Sequence, residues 1–261
     1  MTRLTAFVSA LLVCAGSALA QQRITVVNAA NGSTVVAPDS LVSIFGTDLA
    51  SQTAVATPPF PDTLGGVRVN IGDSSGTGRS GGMIYVSGGQ INFLMPAATT
   101  SGLAGITVGQ GATGTPAPQG NVTVQPVAPG IFSATGDGKG VAAAIGIRVV
   151  DVVGPQVSFP VFSCTAASGN SPAQCRALPI DTGLDSPVFL ALFGTGLKGA
   201  KNVTVTIGSV SVPVLYAGPQ GYPGLDQVNV GVPLTLRGAG LVNVVVTADG
   251  VASNPVQVAI Q

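Results

Sequence analysis

Ile44-Phe45-Gly46-Thr47-Asp48-Leu49 recurs 148 positions later as Leu192-Phe193-Gly194-Thr195-Gly196-Leu197, and this recurrence decides how the 261-residue chain is divided. Downstream of each copy the same landmarks follow in the same order. Val67-Arg68-Val69-Asn70-Ile71-Gly72 is matched by Val203-Thr204-Val205-Thr206-Ile207-Gly208, and Ile84-Tyr85 by Leu215-Tyr216. Gln90-Ile91-Asn92-Phe93-Leu94-Met95-Pro96 is then matched by Gln227-Val228-Asn229-Val230-Gly231-Val232-Pro233. Ordered self-similarity of this kind marks a duplicated structural unit. Each half is therefore read as one copy of a single module.

The period inside the landmarks is two. Val203, Val205 and Ile207 alternate with Thr204 and Thr206, and Val244, Val246 and Ala248 alternate with Val245 and Thr247. That is the pattern of half-buried strands. Composition agrees: Gly 37 and Pro 19 supply turns, and no glutamate occurs, so all ten acids are Asp, a turn and cap residue. Short strands spaced by such turns predict an all-β chain of two tandem immunoglobulin-like sandwiches. The expected boundaries are 1–20 for a cleaved signal peptide, 21–127 for the first module and 128–261 for the second. The dense Pro126-Val127-Ala128-Pro129-Gly130 stretch is expected to act as a fairly stiff hinge between them. An insert without counterpart, at about 145–185, enlarges the second module.

The amino terminus reads as an address. Arg3 precedes the apolar run Leu4 to Gly16, and Ala18-Leu19-Ala20 offers a small-residue cleavage site before Gln21. The run is shorter than the roughly 20 residues needed to span a bilayer. The mean hydropathy of +0.54 is assigned to Val-rich strands and this leader, with no membrane span expected after cleavage. Export to the periplasm, cell surface or medium leaves Cys164 and Cys175 as the remaining cysteines. In an oxidising compartment they are expected to form one local disulfide that staples the insert.

Charge and residue types then remove function classes. Only 8% of residues are charged and the formal net charge is zero. The electrostatic basis of nucleic-acid binding is thus missing. Without His, a Ser-His-Asp or Cys-His centre is excluded, and two sulfurs do not complete a zinc shell. Ser-Lys chemistry through Lys139, Lys198 or Lys201 has no supporting spacing, and the only close acidic pair, Asp181 with Asp185, is read as solvated. Gly76-Thr77-Gly78-Arg79-Ser80-Gly81 spells a dinucleotide-binding loop, yet the strand-like Met83-Ile84-Tyr85-Val86 follows it where a helix would be needed, so it is read as a hairpin loop. Gly136-Asp137-Gly138-Lys139-Gly140 is read as a tight turn. No cofactor, metal or catalytic residue is assigned.

The series Phe-Gly-Thr-x-Leu, Val-x-Val-x-Ile-Gly, Tyr, Gln-x-Asn, Pro and a closing Ser253-Asn254-Pro255-Val256 resembles the uncharacterised C-terminal domain of secreted acidobacterial proteins, which is similar to the IPT/TIG group of immunoglobulin-like folds. The segment Ala128-Pro129-Gly130-Ile131-Phe132 resembles the entry into that family's last module. The resemblance implies the fold and supplies no catalytic residue. The expected function is a non-enzymatic structural or adhesive module of the cell exterior that binds a protein, a glycan or another copy of itself, with a carbohydrate-binding module as the alternative. Tyr222 and Asp226, in the loop Gly218 to Asp226, are the candidate recognition residues, with Phe60 as a second possible aromatic platform. The Gln90/Asn92 and Gln227/Asn229 pairs are expected to bond neighbouring loop backbone.

Overall fold

Alternating Val, Ile and Thr pack the chain into strands throughout the computed structural model, which describes residues 22–110, 117–151, 154–168, 173–183 and 186–261. The expected leader and Asp185 lie outside the described residues. Module one runs β1 (Thr25–Asn28), β2 (Val35–Val36), β3 (Leu41–Phe45), β4 (Ala54–Val55), β5 (Arg68–Gly72), β6 (Gly78–Ser80), β7 (Gly82–Val86), β8 (Gln90–Leu94), β9 (Gly102–Gly109) and β10 (Gln119–Val124). Its two sheets have the orders β1-β3-β8-β7-β4 and β2-β10-β9-β5-β6.

Module two opens with β11 (Gly130–Ile131), β12 (Ala144–Val149), β13 (Gln156–Pro160), β14 (Phe162–Thr165), β15 (Gln174–Ala177), β16 (Pro179–Ile180) and β17 (Val188–Thr195). It closes with β18 (Val203–Ile207), β19 (Val210–Val212), β20 (Val214–Pro219), β21 (Asp226–Val232), β22 (Gly240–Ala248), β23 (Val251–Ala252) and β24 (Val256–Ile260). Its main sheets are β13-β12-β17-β21-β20 and β16-β24-β22-β18-β19, and β14 pairs β15 apart from both. The fold is all-β, with tandem immunoglobulin-like sandwiches. Among the described residues the only helical element is a 3-10 turn at Leu234–Leu236, and no helix is long and apolar enough to cross a membrane.

The two topologies share a common set of strands in the same order, with β4 in module one and β13 in module two as unmatched edges. β3, β7 and β8 correspond to β17, β20 and β21. The parallel pair β2 and β10 corresponds to the parallel pair β16 and β24. Even the irregularity is copied: the pairing of β7 with β8 slips between Met83 and Tyr85, and that of β20 with β21 slips between Val214 and Tyr216. Each module closes around its own core. Ile44, Ile71, Ile91, Phe93 and Ile106 belong to the first, and Leu190, Leu192, Val205, Val230 and Val246 to the second.

β12 pairs β17 as β1 pairs β3, and β16 stands where β2 does. The expected insert at about 145–185 therefore includes both flanking strands of the common module. The added chain is the stretch 150–178, set where module one has only residues 29–34. It holds edge strand β13 and the hairpin β14–β15, in which Cys164 and Cys175 are directly opposed and disulfide-bonded.

The expected hinge is clamped. Asn28 Nδ2 donates to the Ala128 carbonyl at 3.0 Å and Asn31 Nδ2 to the Pro129 carbonyl at 3.3 Å, both from module one. From module two, Gly196 accepts from Ala128 N at 3.0 Å. Val127 and Ala128 are buried. Across the same junction Leu41 N donates to Thr195 Oγ1 at 2.8 Å, Thr195 Oγ1 donates to the Gly224 carbonyl at 2.7 Å, and Lys198 pairs with Asp39 at 2.9 Å. With its polar groups bonded to both sides, the linker has become part of a packed interface.

Candidate recognition faces

The loop between β20 and β21 lies at the junction. Tyr222 is 40% exposed, but its ring meets Phe60 of module one edge-on, with centroids 5.6 Å apart and planes at 66°. The two expected aromatic platforms are thus each other's partner, an arrangement that suits the opposed charge of ring edge and ring face. Gly224, at φ +83°, lets the loop lie against Leu41 and Leu94, where a Cβ would fall 2.8 and 2.7 Å from their methyls.

Asp226 is 3% exposed and accepts from Leu197 N at 2.7 Å. Burial raises its carboxyl above the ordinary value, opposed by the amides of Leu197 and Lys198. It fixes the 195–198 turn from inside. That position corrects the expectation of a recognition residue, since the carboxylate faces protein backbone.

The other candidates resolve into turns. Asp73 accepts from the amides of Ser75, Thr77 and Thr100, from Ser75 Oγ and from Arg79 Nε. These bonds hold its carboxyl well below the carboxylate range, the Ser75 hydroxyl bond being the largest cause. Asp73 thereby pins the glycine-rich stretch as the turn of hairpin β5–β6. Asp137 accepts from Thr135 Oγ1, Ser133 Oγ and Lys139 N, which likewise lower it and close the 133–139 turn. Asp181 Oδ1 accepts from Gly183 N at 2.9 Å. Among the described residues no group of three metal-ligating side chains occurs.

The landmark residues of the repeat converge elsewhere. Ile44, Ile91 and Phe93 point into the core of module one, so by strand alternation Phe45, Gln90 and Asn92 point outward from the same sheet. Phe45 stands opposite Gln90 and Asn92 opposite Tyr85. Module two repeats this register: Phe193 opposite Gln227, and Asn229 opposite Tyr216. Gln90 Nε2 donates to Asn92 Oδ1 at 2.8 Å, and Gln227 Nε2 to Asn229 Oδ1 at 2.7 Å. The amides thus bond each other rather than loop backbone, which corrects the expectation.

Each outer face therefore carries a Phe, a Tyr and a linked Gln-Asn pair. Phe45 is 45% and Tyr216 42% exposed, and Tyr216 Oη donates to the Pro219 carbonyl at 2.5 Å. The amide pairs differ in support: Ser43 Oγ donates to Asn92 Oδ1 at 3.0 Å, whereas the corresponding Ala191 has no such group. Beside Phe45 a cleft of about 180 Å³ opens between Val27, Ser43 and the 136–137 turn of module two. The signal for this site was present in the sequence as parity, because Phe45 and Gln90 each sit one position from a core residue. No protein-family model matches the chain, and no curated protein matches it in sequence.

Proposed function

We propose that the protein is a non-catalytic adhesive module of the cell exterior, in which two immunoglobulin-like sandwiches present recognition surfaces from one packed body. The observation that carries this reading is the repeated outer face. On this sheet the core positions differ between the modules, as Ile44 and Leu192 or Ile91 and Val228 do, while the outward Phe, Tyr, Gln and Asn are identical. Core packing accepts apolar exchanges of similar volume, so identity on the outside calls for a reason outside the fold. Amide and aromatic groups together also suit a carbohydrate-binding module. The disulfide accords with export, and the motif order supports membership of the IPT/TIG-like family.

Labelled full-length protein added to whole cells tests the reading. Saturable retention that is lost on replacing both Phe45 and Phe193 by Ser supports adhesion, and absence of retention on any envelope fraction refutes it.

A further inference from the structure

We infer that each module binds an uncharged polysaccharide chain across its outer face, through Phe45, Tyr85, Gln90 and Asn92 in module one and through Phe193, Tyr216, Gln227 and Asn229 in module two. The inference rests on the adhesive reading and names its ligand. A sugar ring offers hydroxyl groups at its edge and an apolar C–H surface on its flat side. It is recognised by groups that both donate and accept, set beside aromatic rings. In each linked amide pair the Gln donor and the Asn acceptor satisfy each other. That leaves the Gln Oε1 acceptor and the Asn Nδ2 donor with no protein partner among the described residues. One acceptor and one donor side by side match a pair of vicinal hydroxyls, and a Phe and a Tyr flank them.

Charge narrows the ligand. The positions that share this face, from Thr25, Val27, Leu41 and Ser43 in module one to Ile145, Phe189, Ala191 and Gly231 in module two, include no ionisable group. Asp137 borders the cleft beside Phe45, but its Oδ1 is taken by Ser133, Thr135 and Lys139 N. An anionic sugar would meet no counter-charge here, and a neutral one leaves no charge buried and unpaired. The module-one face is also continuous with the junction, because the 136–137 turn forms one wall of its cleft. Two such faces on one clamped body give the protein two points of attachment to polymeric ligands.

Affinity electrophoresis of the full chain in gels containing soluble neutral polysaccharides (a mixed-linkage glucan, a galactomannan) or an acidic one (polygalacturonate), with pull-down on cellulose and chitin, tests the inference. Retardation by at least one neutral polymer is expected. Gln90→Leu and Gln227→Leu should each weaken it about tenfold, the order of one lost hydrogen bond. The double variant should abolish it at an unchanged thermal midpoint. Leu103→Ser, on an exposed position of the other sheet, should bind like the parent. Retardation by polygalacturonate alone would overturn the inference in favour of the cleft of about 610 Å³ on the other side of Asp137, which Lys139 and Arg176 line. Neutral-polymer retention unmoved in the double variant would overturn it too. Cell binding without retention by any polysaccharide would sink the ligand and leave adhesion standing, whereas loss of both would sink both.

Discussion

The two Phe-Gly-Thr turns share their residues and meet different surroundings. In module one, Leu49 N donates to the Gly88 carbonyl at 2.9 Å, and Thr47 is exposed and accepts from Gln22 Nε2. In module two, Leu197 N donates instead to the Asp226 carboxylate, and Thr195 is fully buried between Leu41 N and the Gly224 carbonyl. Where water covers the turn, a backbone acceptor suffices. Where another module replaces the water, every polar group must find a protein partner, and the Asp226 carboxylate supplies one to the Leu197 amide. Loop length follows the same logic. The tight Ser87 to Gln90 turn of module one becomes the 220–225 loop of module two, which carries Tyr222 onto Phe60. The junction is built from additions to a common module.

If so, the same change should cost more in the second turn than in the first. The largest expected effect is Gly196→Ala: at φ +80° the new Cβ would strike the Ala128 carbonyl. A strained φ with a backbone clash should remove about 2 kcal/mol or more from module two, read as a lowered calorimetric transition. At the module-one counterpart, Asp48, a side chain already stands at φ +50° without a neighbouring module. Next is Thr195→Val, which leaves Leu41 N and the Gly224 carbonyl unpaired. A loss of about 2 kcal/mol and faster proteolysis at 126–130 are expected. Thr47→Val should change stability by less than about 0.5 kcal/mol, as an exposed substitution does. Equal effects at the two threonines would dissolve the comparison.

The repeat, the strands and the disulfide were legible because each depends on local spacing. Phe-Gly-Thr and Gln-x-Asn recur in order, Val203 to Ile207 alternates, and Cys164 faces Cys175 across one hairpin. What was not legible depends on docking. Tyr222 and Asp226 read as recognition residues because a Pro/Gly loop is ordinarily at the surface, and only the approach of Leu41, Leu94 and Phe60 turns that loop inward. Pro126 to Gly130 read as a hinge for the same reason. The insert read too wide because Ala144 to Val149 does not look like Thr25 to Asn28, although its register against β17 gives it the same place. The outer faces do not show in Gln-x-Asn taken alone, because only strand parity sets Phe45 and Tyr85 beside it.

Acid should separate the two turns further. Asp73, Asp137 and Asp249 have lowered carboxyl pKa values, so each contributes stability above the ordinary value of 3.8 that is lost as pH falls through its folded value. Asp226 is raised, so its contribution has the opposite sign: present below 3.8 and lost as pH rises through its folded value. Acidification from neutral pH towards 3.8 therefore relieves the cost of the buried charge. Asp226→Asn removes that relief, and its stability measured by urea melts should decline more on acidification than the parent's. A variant with the parent's pH dependence would mean that the carboxylate is held by the Leu197 and Lys198 amides as comfortably as in water.

The smallest effect belongs to Lys198 and Asp39, the one ion pair across the junction among the described residues. Module one has Ala50 at the position of Lys198, packed against its own core, so this pair too is an addition that accompanies the neighbour. Half of the Lys198 side chain remains in water, where such pairs contribute about 0.2 to 1 kcal/mol and are screened by salt. Lys198→Ala should therefore lower the junction's stability by about 0.5 kcal/mol in dilute buffer and by nothing measurable in molar salt. A larger, salt-independent loss would move the junction's main support from the buried Thr195 contacts to charge. It would also predict that Asp39→Ala and Lys198→Ala are not additive, a double-mutant cycle that distinguishes a true pair from two independent surface residues.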